Sequence, residues 1–205
     1  MLVCMINYTS RTFGVNNINL PNILTSLRIL LIPILVAAFY LVPSELRYLL
    51  AAFIFTVASL TDWLDGYLAR KLGQQTPFGA FLDPVADKLI VAVALVLLVQ
   101  IHASPWLALP ASVIVGREIV VSALREWMAR YSEKRSVAVS FLGKIKTGAQ
   151  MVAIILLLGL GPKDDLFVLF GFGLLYFSAF LTLWSMYEYL KIAWPELVSG
   201  MRNDV

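Results

Sequence analysis

The chain has 205 residues, of which 60% are hydrophobic and 14% charged, and its mean hydropathy is +0.83. That is more apolar surface than a small soluble core can bury, so a bilayer must solvate much of it. The formal charge of +3 would suit a nucleic-acid binder, but the basic residues flank hydrophobic spans instead of forming a polar face interleaved with aromatics, which speaks against that class.

No linker, low-complexity tract or repeat divides the chain, so it reads as one membrane domain over 18–195, with an N-terminal extension at 1–17 and a C-terminal tail at 196–205. The extension has no continuous apolar stretch ending in a small-residue cleavage site and does not read as a removable signal peptide. Its cysteine, Cys4, is the one cysteine of the chain, which excludes an intramolecular disulfide and a cysteine-based zinc site.

In chain order, a short amphipathic segment near Asn16 to Leu20 suits the membrane surface, and six spans follow. They run near Asn22 to Leu41, Leu46 to Ala69, Gly79 to Ile101, Trp106 to Met128, Gly143 to Leu160 and Leu166 to Leu190. Each has about the 20 residues that cross a hydrocarbon core of about 30 Å. The breaks fall at Pro43 and Ser44, at Gly73 to Pro77, at Ala103 to Pro105, along the polar stretch Arg130 to Ser136, and at Gly161 and Pro162. The expected fold is an all-α integral membrane protein of six transmembrane helices with a juxtamembrane helix before them.

Six spans put both termini on one side, and the cations say which. Arg11, Arg70, Lys71, Arg130, Lys134, Arg135, Lys144, Lys146, Lys191 and Arg202 lie on the terminal side, against Arg47 and Lys163 opposite. The positive-inside rule places the termini and the 2–3 and 4–5 connections in the cytoplasm, in a cytoplasmic membrane.

Four carboxylates, Asp62, Asp65, Asp83 and Asp87, fall within 26 residues of two hydrophobic spans. At about 3 kcal/mol each in the bilayer centre, they would cost on the order of 10 kcal/mol before mutual repulsion. On a helix Asp62 and Asp65 lie about 60° apart, and Asp83 and Asp87 about 40° apart, so each pair shares a face. Two facing helices would then present four carboxylates to one pocket, the oxygen set that hard divalent cations take. Two such ions, Mg²⁺ or Mn²⁺, about 3.5–4 Å apart are the usual clamp for displacement at phosphorus. Gly66, Ala69 and Gly79 remove bulk beside the acids, and Arg70 can set a guanidinium against a phosphate. Arg70 and Lys88 could instead neutralise some of the acids, but two cations do not balance four. A transporter's ion pathway also uses intramembrane acids, though these are consecutive in two neighbouring helices and accompanied by glycines.

The pattern Asp62-x2-Asp65-Gly66-x2-Ala69-Arg70-x8-Gly79-x3-Asp83-x3-Asp87 resembles, position for position, the signature of the CDP-alcohol phosphotransferases. Pro21 to Pro33, Gly116 to Ala129 and Gly143 to Met151 are similar to the bacterial phosphatidylglycerophosphate synthases within that family, a likeness covering about residues 18 to 190. The resemblance implies a six-helix membrane fold, commonly a homodimer. It also implies metal-dependent transfer of a phosphatidyl group from CDP-diacylglycerol to sn-glycerol 3-phosphate, releasing CMP. It implies that Asp62, Asp65 and Asp83 hold metal, that Asp87 contacts metal or acts as base, and that Gly66, Arg70 and Gly79 hold the CDP moiety. Other acceptors, such as phosphatidylglycerol, inositol phosphate or serine, would keep the same chemistry.

An acceptor bearing a phosphate needs its own cations, and Arg117, Arg125, Lys144 and Lys146 are the candidates, although Arg117 could pair with Glu118 or Glu126. Asn22, Thr25 and Arg28 recur every three residues and suit donor contacts, with capping by Asn22 and snorkelling by Arg28 as the plainer alternative. His102 reads as an interface residue at the far end, and Trp184, Tyr187, Tyr189 and Trp194 as an aromatic belt.

Overall fold

The computed structural model describes residues 20–43, 45–72, 77–131 and 141–202, and all its regular structure is helical. Six helices follow in order: α1 (Leu20–Leu41), α2 (Leu46–Leu72), α3 (Pro77–His102), α4 (Pro105–Tyr131), α5 (Phe141–Leu160) and α6 (Leu166–Arg202). Each falls on one of the six segments expected from hydropathy, with ends that differ by a few residues except in α6. The expected surface segment lies, apart from Leu20, outside the described residues.

Stretches long and apolar enough to cross a membrane occur in four of them, Ile23–Leu41, Phe81–His102, Pro105–Met128 and Leu166–Lys191. The apolar part of α5, Ile145–Leu160, is shorter, and the second half of α2 carries Asp62, Asp65, Arg70 and Lys71. Those two helices give up apolar length where they carry charge.

The turns follow from local chemistry. At Ala103 the backbone turns through a φ of 43°, and Pro105 opens α4 in the first-turn position where its missing N–H costs nothing. The Ser104 carbonyl accepts from Leu107 and Ala108, which closes that first turn. Gly161 ends α5 at φ 66°, and a Cβ there would sit 2.8 Å from the Tyr48 ring, so both conformation and space require glycine. Beside it, Lys163 pairs with Glu45 at 2.9 Å, and Arg47 lies over the Tyr48 ring at 4.8 Å. The α1–α2 and α5–α6 corners are thereby joined.

α1 packs on α2 and α3, α2 on α5, and α6 on both α4 and α5. The core is built from small and large residues in alternation: Ala51, Phe55 and Ala58 of α2 meet Leu35, Leu95, Leu98, Ile154, Leu157 and Leu175, all buried. Small residues let the backbones approach, the means by which helices associate where no water drives them together. Gly159 lets α5 close on Ala52, and Gly171 lets α6 close on Leu157. Large apolar side chains such as Leu30, Phe53, Val96 and Phe180 face outward, as a lipid-facing exterior requires. α6 runs past the expected end at Leu190 and through Pro195 to Arg202.

Candidate functional site

The carboxylates sit in the second half of α2 and the first turns of α3, and α1 supplies what faces them. Thr25 and Arg28, one turn apart on α1, are both buried, Arg28 completely. Arg28 Nη1 lies 2.7 Å from Asp62 Oδ1, and the Thr25 hydroxyl donates to Asp83 Oδ1. An arginine removed from water carries a penalty of several kcal/mol unless it is paired, and Asp62 pairs it. One short stretch of α1 thus ties α2 to α3 through the two acids.

Asp62 remains 42% exposed beside a fully enclosed Arg28, so the carboxylate is open to approach on one side. Asp62 and Asp83 lie close enough to feel each other's charge, and Asp87 feels Asp62, Arg28, Lys88 and Glu118. The structure therefore brings three of the four expected acids into one electrostatic neighbourhood. No three His, Cys, Asp or Glu side chains among the described residues already meet as a ready-made cation cage. The side chain of Asp65 lies outside the described residues, as do those of Asn22, Arg70 and Lys144 and the surroundings of Gly66. Gly79 is buried at the start of α3, one turn before Asp83.

The basic cluster is assembled from α4, α5 and α6. Arg117 and Lys146 are both buried. They converge on a single oxygen, Glu118 Oε1, at 2.6 Å from Arg117 Nη1 and 3.3 Å from Lys146 Nζ. Arg117 Nη2 also donates to Ser185 of α6 at 2.6 Å, while its Nε–H has no partner among the described residues. Lys88, next to Asp87, donates to Ser122, which donates in turn to the Glu118 carbonyl. Arg125 is exposed and turns to α6 instead, donating to the Tyr189 hydroxyl at 2.8 Å with its guanidinium over that ring.

Two clusters therefore meet at one end of the bundle, carboxylates on α2 and α3 and cations on α4 and α5, with Glu118 between them. His102 packs edge-on against Phe172 at the other end of α3, away from both. The sequence left undecided whether Arg117 would pair with Glu118 or Glu126. It gave no sign that Glu118 would hold Lys146 as well, nor that Ser122, Ser185 and Tyr189 would join the site. Helical spacing could have flagged Ser122, which lies one turn after Glu118.

Comparison with known proteins identifies the family. The family described as CDP-alcohol phosphatidyltransferase matches residues 18–184. A Pseudomonas fluorescens protein named CDP-diacylglycerol–glycerol-3-phosphate 3-phosphatidyltransferase is 55% identical over 188 residues, 91% of this chain and 96% of its own length. Proteins of the same name from Salmonella choleraesuis and Yersinia pestis are 50% and 51% identical, each over 88% of this chain and 97% and 98% of their own lengths. With its acids, its buried cations and its signature all inside the matched region, the chain belongs to the CDP-alcohol phosphatidyltransferase family.

Proposed function

We propose that the protein transfers the phosphatidyl group of CDP-diacylglycerol to sn-glycerol 3-phosphate, giving phosphatidylglycerophosphate and CMP. The observation that carries this reading is the pairing of an open carboxylate cluster with a separate buried cation cluster at the same end of the bundle. One suits a metal-bound pyrophosphate and the other an acceptor phosphate. The names of relatives half identical to the chain support the same pair of substrates.

The donor set fits a divalent cation: Asp62, Asp83 and Asp87 share a neighbourhood, and all are hard oxygen donors. With Asp65 they would hold two ions, Mg²⁺ or Mn²⁺, which when bound would draw charge from the pyrophosphate and its leaving group. Arg28 and Thr25 fix Asp62 and Asp83 from α1, and Arg28 also offers positive charge to the donor. Asn22, Gly66, Arg70 and Gly79 complete the donor contacts. Arg117 and Lys146, with Arg125 and Lys144 at the margin, hold the acceptor phosphate and so present its free primary hydroxyl. Asp87 takes the proton of that hydroxyl as its oxygen attacks the β-phosphorus, and the bond to CMP breaks. Positioning and fixed charge supply most of the rate.

In this reading α2 and α5 cross the membrane with the other four helices, both termini face the cytoplasm, and the protein works as a homodimer in the cytoplasmic membrane. The excess of cations on the side of the termini supports the orientation.

The test is to supply purified protein with CDP-diacylglycerol, Mg²⁺ and each acceptor in turn, and to measure CMP. Glycerol 3-phosphate should give CMP; release only with phosphatidylglycerol, inositol phosphate or serine would transfer the reading to that acceptor.

A further inference from the structure

Glu118 is an acidic residue where the proposed acceptor phosphate has to be bound, and its placement needs a reason. Its Oε1 accepts from Arg117, its neighbour on α4, and from Lys146 on α5, 28 residues away in sequence. Both cations are buried, Arg117 at 8% exposure and Lys146 at 5%, while Glu118 itself is 29% exposed. Two cations enclosed this closely repel each other, and without a shared anion each would swing towards whatever water or carbonyl it could reach. The carboxylate removes that freedom. It leaves the group with two positive charges against one negative, still net positive, and with the Nε–H of Arg117 uncommitted among the described residues.

We propose that Glu118 is a positioning residue: it holds Arg117 of α4 and Lys146 of α5 at the separation needed to grip one phosphate monoester. This rests on the acceptor assignment above and deepens it. Ser185 fixes Arg117 from the α6 side, and the Lys88–Ser122–Glu118 carbonyl chain fixes this turn of α4 against α3. The carboxylate therefore stands on a braced backbone, as a positioning group must. With the cations already in place, the phosphate does not have to order two long side chains as it binds, which is an affinity gain without a new contact. Specificity follows too: a small neutral alcohol gains nothing from this arrangement, whereas a phosphate-bearing one does.

Glu118 also lines a cavity of about 590 Å³ between α3 and α4, with Phe81, Val85, Ile119 and Glu126 in its wall. The side chain thus has space on that side, and Glu118→Gln, of equal size, can be made without crowding the fold.

The experiment compares wild type, Glu118→Gln and Glu118→Asp in full-length protein, measuring KM for glycerol 3-phosphate, KM for CDP-diacylglycerol and kcat. Glu118→Gln should raise the acceptor KM by about tenfold, the loss of one charged hydrogen-bond partner, with donor KM unmoved and kcat at saturating acceptor lowered less than about threefold. Glu118→Asp, which restores the charge on a shorter stem, should recover part of the acceptor KM. A wild-type acceptor KM in Glu118→Gln, or a fall confined to kcat, overturns the inference while leaving the proposed function standing. Failure of wild type itself to release CMP with glycerol 3-phosphate overturns the proposed function, and with it this role.

Discussion

Replacing Arg28 by methionine tests the link between α1 and the carboxylates. The substitution keeps an unbranched side chain of similar reach and deletes the charge. Removing one partner from a fully buried ion pair costs about 3–5 kcal/mol, because the other charge is stranded. Here the stranded group would be Asp62, whose side chain is 42% exposed, so water can replace much of what Arg28 provided. The stability cost should therefore be nearer 1–2 kcal/mol, about 2–8 °C in melting temperature for a chain of this size. Activity should fall further than stability. Asp62 loses its fixed orientation and the donor loses a nearby cation, and a charged hydrogen bond of about 1.5–3 kcal/mol corresponds to about 10- to 150-fold in kcat/KM for CDP-diacylglycerol. The assay is CMP release in detergent micelles at limiting donor, with thermal unfolding measured on the same preparation. A variant that melts as expected yet keeps kcat/KM within about threefold of wild type would show that Arg28 only braces the bundle, and the donor role would be withdrawn.

Further outcomes follow from the same site. Asp87→Asn should abolish turnover while donor binding largely survives, since an amide cannot take the acceptor's proton; measurable transfer by that variant would remove Asp87 from the role of base. Asp62→Asn should shift the Mg²⁺ titration of activity to higher concentration as well as lower the rate, and an unchanged titration would argue against ligation there. Far from the chemistry, Gly161→Ala places a Cβ against Tyr48 at a left-handed φ and should cost at least about 1–2 kcal/mol in thermal unfolding, with kcat of the folded fraction unaltered.

Much of the architecture was legible because the membrane writes it in long apolar segments separated by helix breakers. Pro43, Ala103 to Pro105, and Gly161 with Pro162 mark corners the structure adopts. The end of α6 was harder to read. Pro195 looks like a terminator, yet the helix continues through it to Arg202, past the end of the apolar stretch Leu166–Lys191. The pairing of helices was out of reach for a different reason. Periodicity shows that Asp62 needs a partner and that Arg28 needs one, but not that α1 lies against α2 in the register that joins them. Arg117 and Glu118 are adjacent in sequence and would not be expected to face one another on a helix; the length of the arginine lets them meet, and Lys146 completes the set only through the packing of α5. Charges made the acids and bases conspicuous, and tertiary contact decided who met whom.

The Arg28–Asp62 pair also bears on how the chain enters the membrane. α1 precedes α2 and carries Arg28 as the one charged residue of its span Ile23–Leu41, an insertion cost of up to about 2.5–3.5 kcal/mol for a helix travelling alone. The helix that neutralises it, α2, follows after the short connection between Leu41 and Leu46 and brings the acid, Asp62, that pairs with it. Packed together, the two helices present this cation and this acid as a pair. The contact that holds Asp62 therefore also lowers the cost of keeping Arg28 in the bilayer, from the moment α2 has packed on α1.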